Sequence, residues 1–520
     1  MRYLVGIDEG TGSCKVCVFD ETGASLASAS REYASYYPQP GYVEQDIFEI
    51  KKAVFDACRE AVVASKVRAE DIAGVSHSNQ GITMVLLDED GTPCRTRTIG
   101  WQDMRYTDVL DQMRNCVDVD HYRAVTGMPF GVYNTAVLRW LQEREPNMWE
   151  RVVHVCSHQD YFLKALGADG YFIDEGSANF MGMVDLQTGE WSPELVALFG
   201  LRLDQLPVIV HGPGRVVGHV PPEVASETGL PVGCAVVVGG LDTNSCTLAA
   251  GGIDPGVEVM VVGTAGTSTF IAPTALRDPR QRVTTRSNPG VGNWQLYTMT
   301  NTAASSFRWF RDSFGQLEVA ASGLLRVDPY DVITSIASTS EPGARGVTFV
   351  AALQGQQGRR SNERARGSIL GITLATQKAD VAQALMEGIC FEMFDLLRLT
   401  EDFAGPATRV RLSGGVTKSP MWCQMFADVM QRPIELTKVT DMGALGAAMA
   451  AGIGAGVFSS TREAVERAVS LAATYQPSTA NRDAYGHAYE RWCQASDALN
   501  SGFYLTSPVS GVLDWYWVFD

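Results

Sequence analysis

The chain has 520 residues, 45% of them hydrophobic, and a formal net charge of −17; because single cores stop growing at roughly 250–300 residues, two domains of similar size are expected. No apolar run approaches the roughly 20 residues of a membrane span, and so acidic a balance excludes broad attraction to nucleic acid or an anionic membrane, which needs clustered Lys and Arg. The 11 cysteines are scattered singly, as expected for reduced thiols, and the short apolar start meets Asp8 at once, so no signal peptide is read and a cytoplasmic protein is expected.

In chain order, Tyr3 to Ile7 predicts a buried strand, Gly10 to Ser13 a turn of small residues, Lys15 to Phe19 a second strand, and Ala24 to Ala29 a third after the turn at Asp20-Glu21-Thr22-Gly23. Ile47, Ile50, Val54, Ala57 and Ala61 follow helical spacing within a helix from about Asp46 to Ser65. A strand at Ile72 to Val75 follows, then a local hairpin starting at Met84 to Asp88. This order fits a mixed sheet with helices packed on it.

The opening pattern then recurs. Val259 to Val262 reads as another buried strand, followed by Gly263-Thr264-Ala265-Gly266-Thr267-Ser268 and a strand at Thr269 to Ala272. Two similar domains, each offering a Gly/Thr/Ser turn to one cleft, account for the recurrence. Helices are expected at about Ala303 to Phe314, Lys378 to Ala404, Met421 to Met430, Gly443 to Ala455 and Asn481 to Leu499, with strands at Arg409 to Leu412 and Ile434 to Leu436. The end, Trp515-Tyr516-Trp517-Val518-Phe519, reads as a packed tail or a subunit contact.

Three glycine-rich turns carry the chemistry. In Asp8-Glu9-Gly10-Thr11-Gly12-Ser13 the glycines let backbone N–H groups approach a phosphate, the hydroxyls of Thr11 and Ser13 add donors, and Asp8 can hold hydrated Mg²⁺. Alone, this turn reads equally well as an ordinary hairpin. Its counterpart at Gly263 to Ser268 supplies the second contact that a triphosphate held between two domains needs. Ser413-Gly414-Gly415 through Ser419 lies between a strand and a helix, where a base or ribose can rest against backbone. The Walker P-loop ending and the protein-kinase catalytic loop are both missing from the sequence.

These turns, with Trp422 and the small-residue run Gly443-Ala444-Leu445-Gly446-Ala447-Ala448, resemble the FGGY carbohydrate kinases in order and spacing. The resemblance implies two actin-like (ribonuclease H-like) α/β domains, about 1–249 and 250–520, around a central cleft, with ATP held mainly by the second and a small sugar or polyol mainly by the first. It implies Asp242 as the general base, and with Asp8 a ligand of Mg²⁺. Thr11, Gly12, Ser13, Lys15, Gly263, Thr264, Ala304, Gly414, Gly415 and Ser419 would contact ATP. Gln80, Gly81, Trp101, Asp103, Arg105 and Tyr133 would contact the substrate, and a homodimer or homotetramer is expected.

The pattern also departs from particular family members. Gly81 and Ile82 stand where a glycerol kinase carries Arg and Glu, and a xylulokinase would read Met-His-Gly there. Phe307 to Asp312 and Gly454 to Ser460 look like autoinducer-2 kinases. Ala303-Ala304 replaces a common Gly pair beside the nucleotide, which would narrow that wall, and Val416 stands where a third Gly or Ala is usual. An actin-like nucleotide switch, or a homologue that binds sugar without turnover, would share the loops but would not need a base at Asp242. Cys14 with Cys17, and His154 with His158, read as structural residues.

Overall fold

The computed structural model describes residues 1–504 except 131–133, 279, 281 and 363. Tyr133 and the aromatic end lie outside the described residues.

The first sheet begins as an antiparallel meander of β1 (Tyr3–Glu9), β2 (Ser13–Phe19) and β3 (Ser25–Glu32). Helix α1 (Ile47–Ser65) follows, its first amides capped by the Asp46 carboxylate, and leads into β4 (Ile72–Asn79). A long excursion carrying α2 (His158–Leu166) separates β4 from β5 (Val216–His219), β6 (Ala235–Leu241) and α3 (Asp242–Ala249). The strand order is β5-β6-β4-β1-β2-β3, with β1, β4 and β6 mutually parallel. β4 is buried at every position, as a strand covered on both faces should be.

The second sheet repeats this plan. β7 (Val257–Val262), β8 (Gly266–Ala272), β9 (Thr284–Asn288) and β10 (Asn293–Thr300) make its antiparallel half. Helices α4 (Ala304–Phe314), α5 (Gln316–Leu325) and α6 (Lys378–Ala404) precede β11 (Arg409–Ser413). Then come α7 (Pro420–Met430), β12 (Ile434–Thr437), α8 (Met442–Gly454), β13 (Leu471–Tyr475) and α9 (Arg482–Ala498). The order β9-β10-β8-β7-β11-β12-β13 again sets antiparallel strands beside parallel ones, here β7, β11 and β12, with β10 rather than β9 next to β8. Two such units are the actin-like architecture expected from the resemblance.

Helix α8 explains the small-residue run. It follows β12 of the second sheet, yet it packs on the first: a Cβ added to Gly6 would overlap the Ala444 carbonyl oxygen, and one added to Gly446 would overlap that of Ser245 on α3. An apolar cluster including Leu4, Phe19, Val257, Ile271 and Met449 fills the join between the sheets. Backbones this close leave no room for side chains, so glycine and alanine are required there.

Met84–Leu87 pairs with the distant strand His154–Ser157, and the expected local hairpin closes beside it, the Cys94 amide donating to Leu86 O and the Asp88 amide to Thr92 O around a bridge from Leu87 to Pro93.

Burial governs the acids of the second unit. Glu258 on β7 is fully buried, accepts a hydrogen bond from the Ser268 hydroxyl, and has its pKa pushed from 4.5 to about 8 by desolvation. Between those values the unfolded chain releases a proton that the folded chain keeps, so this group's contribution to stability is lost as pH rises through about 8. Glu258→Gln is therefore expected to be near neutral at pH 5 and to stabilise the protein by roughly 2–4 kcal/mol at pH 8 to 9, read from denaturant midpoints.

Candidate functional site

The parallel register brings three strand ends side by side. Asp8 on β1 and Gly240 on β6 both stand opposite Ser78 on β4, and Asp242 follows β6 directly as the first residue of α3. The Ser78 hydroxyl donates to Asp8 Oδ1 at 3.0 Å, and the Thr243 amide donates to Asp242 Oδ1 at 2.5 Å. Burial raises the Asp8 carboxyl to about 7, with the Asp242 charge adding to the rise. Burial likewise raises Asp242 to about 6, against the Thr243 amide and the positive charge of Arg286. Two carboxylates that repel one another suit a divalent cation. Mg²⁺ is commonly held by one or two carboxylates plus substrate phosphates, so this pair fits it, although the described residues contain no cluster of three or more His, Cys, Asp or Glu able to hold a metal alone.

Beside this pair lies a polar wall. Gln80 Nε2 donates to Glu9 Oε1 at 2.7 Å and to Gln45 Oε1 at 3.0 Å, and His158 Nδ1 lies 3.1 Å from Glu9 Oε2. The Trp101 indole N–H donates to Thr11 Oγ1 at 2.8 Å, tying the phosphate-type turn to the same wall. Trp101 remains more than a third exposed, so its ring is available to a ligand. Gly81 is close-packed, since a Cβ there would stand 2.9 Å from Leu241 Cδ1.

Asp103 and Arg105 turn toward each other. Arg105 donates from Nε to Asp103 Oδ1 at 2.9 Å and from Nη2 to Asp103 Oδ2 and Glu44 Oε1, each at 2.8 Å, and Asp103 also takes the Val43 amide. Arg105 stacks over Tyr42, 4.0 Å from its centroid. Both are buried.

In the second unit, the Gly263 and Gly414 turns follow the adjacent parallel strands β7 and β11. Gly414 has φ +97, and a Cβ there would overlap the Val262 carbonyl. By contrast no atom lies within 4 Å of a Cβ position on Gly12 or Gly415, so those backbones face open space. The Ala303 and Ala304 amides donate to Thr264 O at 3.0 Å and Gly263 O at 2.9 Å, fixing that turn against α4. The Ala303 methyl is buried in the core, so of the two alanines that were expected to narrow the nucleotide wall only half-buried Ala304 can do so. Ser419 caps α7 through the Trp422 amide. Lys15 on β2 pairs with Asp441, the residue that opens α8, and a Cβ on Gly443 would overlap the Asp8 carboxylate. These contacts connect the two halves at the carboxylate pair.

Sequence reasoning missed two groups here. One is the Glu9–His158 pair, whose members are 149 residues apart; only Glu9's place beside Asp8 could have hinted at it. The other is Arg286 on edge strand β9, fully buried, its guanidinium 4.7 Å from the Tyr297 centroid and 5.5 Å from that of Phe180, with Nε donating to Gln295. Phe180 packs with Met128, Leu241 and Ile82, and Ile82 itself holds φ 64. A β-branched residue in that region stores roughly 1–3 kcal/mol of strain, a cost found mostly at functional sites.

Comparison with known proteins agrees with this geometry. Residues 3–249 match the N-terminal domain of the FGGY family of carbohydrate kinases and residues 259–455 its C-terminal domain. A glycerol kinase of Citrifermentans bemidjiense is 31% identical over 90% of this chain and 93% of its own, and a gluconokinase of Bacillus licheniformis 28% over 86% of each. The solved xylulose kinase of Lactobacillus acidophilus superposes with a TM-score of 0.87 at 24% identity, covering 98% of this chain and all of that one. The chain belongs to the FGGY family of carbohydrate kinases, ATP-using phosphotransferases with an alcohol group as acceptor.

Proposed function

We propose that the enzyme transfers the γ-phosphoryl group of ATP to one hydroxyl of a small polyhydroxy acceptor, with Asp242 as general base. The observation that carries this reading is the coupled Asp8–Asp242 pair at the ends of parallel strands, flanked by the Gln80–Trp101 wall. Residues 1–249 hold the acceptor and the base, and residues 250–520 hold most of ATP. Asp242, half-buried where α3 begins, accepts the proton of the attacking hydroxyl. Thr11, Gly12, Ser13 and Lys15 meet the phosphates from one side and Gly263, Thr264 and Ala304 from the other, while Gly414, Gly415 and Ser419 carry the nucleoside. Asp8 and Asp242 would hold Mg²⁺, which would supply charge neutralisation at the phosphates. Gln80, Gly81 and Trp101 line the acceptor subsite. Asp103 and Arg105, closed on one another, fix the Trp101 loop.

Arg286 favours one acceptor class. The guanidinium is covered by Phe180 and Tyr297, but its charge acts on Asp242, and the same positive potential would attract a carboxylate on the acceptor through space. A sugar acid, such as the acceptor named for the gluconokinase relative, is therefore preferred over a neutral polyol or ketose. The test is acceptor-dependent ADP release across gluconate, other aldonates, xylulose, pentitols and glycerol, with the wild type and Arg286→Met. Aldonates should give the highest kcat/KM, and the variant should raise their KM about 5–30-fold, the worth of roughly 1–2 kcal/mol of through-space attraction. Preference for a neutral acceptor would overturn the sugar-acid reading and leave the kinase reading standing. No turnover with any acceptor would count against both.

A further inference from the structure

The carboxamide of Gln80 is held in one direction from two sides. On one side Gln45 Nε2 donates to the Thr11 carbonyl oxygen at 2.5 Å, and a carbonyl can only accept. That bond turns Gln45 Oε1 toward Gln80, where it takes a hydrogen from Gln80 Nε2 at 3.0 Å. On the other side Glu9 Oε1 takes the second hydrogen of the same nitrogen at 2.7 Å. Glu9 is fixed in turn by His158 Nδ1, 3.1 Å from its Oε2, and by the Tyr33 hydroxyl, 3.4 Å from its Oε1. Gln45, Glu9 and His158 are all buried, so solvent does not compete for these bonds. Both hydrogens of the Gln80 nitrogen are therefore spent. Its Oε1, also buried, has no hydrogen-bond partner among the described residues. An oxygen left in this way is costly unless a donor arrives.

The register shows where that donor would come from. Asn79 on β4 stands opposite Leu241 on β6, so Gln80 and Asp242 are the next residues on neighbouring parallel strands. The Glu9 charge is close enough to act on both Asp242 and Asp8. We infer that Glu9, with His158 behind it, is a specificity-determining positioning residue, fixing Gln80 so that this side chain offers the acceptor molecule a hydrogen-bond acceptor and no donor. The inference rests on the kinase reading above and names what the wall selects. A hydroxyl can donate to Gln80 Oε1, whereas a carboxylate, an ether or a carbonyl oxygen cannot, and a carboxylate is also repelled by Glu9. A sugar acid would then bind with a hydroxyl on Gln80 and its carboxylate turned away from Glu9.

Two measurements test the inference. A neutron structure of the deuterated wild type should show the two deuterium atoms of the Gln80 nitrogen directed at Glu9 and Gln45. An amide flipped the other way would overturn the inference whether or not any acceptor is turned over. The second measurement compares gluconate, xylulose and glycerol with their monofluoro analogues, in which fluorine replaces one hydroxyl and cannot donate. In the wild type one hydroxyl other than the phosphorylated one should prove critical, its replacement lowering kcat/KM about 10–100-fold. In Glu9→Gln the His158 N–H takes the new amide's oxygen, which turns the new NH₂ toward Gln80 and favours the flipped Gln80. The penalty for that fluorine should then shrink to within about 3-fold. A general loosening of the wall would slow parent and analogue alike and leave their ratio unchanged. An unchanged ratio in the variant, or a wild type indifferent to every fluorine outside the phosphorylated position, would overturn the inference and leave the kinase reading standing. No turnover of any parent acceptor would count against the kinase reading, and the neutron structure would then decide the Gln80 orientation alone.

Discussion

Asp242→Asn is expected to lower kcat about 10²–10⁴-fold while ATP and the acceptor still bind, since general-base catalysis contributes factors of that size. Asparagine keeps the size of the side chain and an oxygen able to accept the Thr243 amide, so the start of α3 should survive. What it loses is the ability to take a proton. The same replacement removes the charge that helps to hold Asp8 near 7, so the Asp8 carboxyl should titrate lower in the variant. In the wild type the base must be ionised. With Asp242 raised to about 6 and Asp8 to about 7, kcat/KM should fall on the acid side of that window and be flat above it. An ordinary surface carboxylate would keep activity level down to about pH 4. Binding of both ligands, measured by calorimetry with the variant, separates loss of the base from loss of the fold.

The second large effect is on the join between the sheets. Gly6→Val should destabilise the protein by more than about 4 kcal/mol, enough to leave little folded protein. Even the Cβ of the new residue would overlap the Ala444 carbonyl, and backbone cannot yield as the end of a flexible side chain can. To make room, α8 would have to lift from β1 and take with it the Gly443 turn against Asp8 and the Lys15–Asp441 pair. Gly486→Ala is the control. Gly486 sits inside α9 with nothing within 4 Å of its Cβ position, so alanine there should stabilise by roughly 0.5–1 kcal/mol. Denaturant melts of the two variants should move in opposite directions.

These cases show what was legible in the sequence. Local periodicity identified β1, β2, α1, β7, β8 and the long helix α6, because each carries its pattern within one short window. The Asp8 position was readable because strand, acid and turn are contiguous around it, whereas Asp242 came only from the resemblance to the family. Pairings set by the fold were out of reach. Met84–Leu87 finds its strand partner some seventy positions away, Glu9 finds His158, and Asp103 finds Arg105 rather than open space. Arg286 carries no local signal, since an arginine within Thr284–Asn288 reads as an exposed residue of an edge strand until Phe180 closes over it. The run Gly443 to Ala448 was visible as a motif, but its reason lies in Gly6, Asp8 and Ser245, which contact it from the other sheet.

The reading also explains why the same loops are not merely those of a nucleotide switch. A switch needs the phosphate turns and the join. It does not need a half-buried carboxylate at the end of β6 beside a polar wall of Gln80, Glu9 and Trp101.

The measurement that tests the central claim most directly is acceptor-dependent ADP release with Mg-ATP from pH 5 to 9, wild type beside Asp242→Asn. The account predicts little ADP without acceptor, strong stimulation by at least one small polyhydroxy compound, an acid limb near pH 6 to 7, and loss of the stimulated rate in the variant. ADP release indifferent to every acceptor, or a stimulated rate that Asp242→Asn leaves intact, would contradict it.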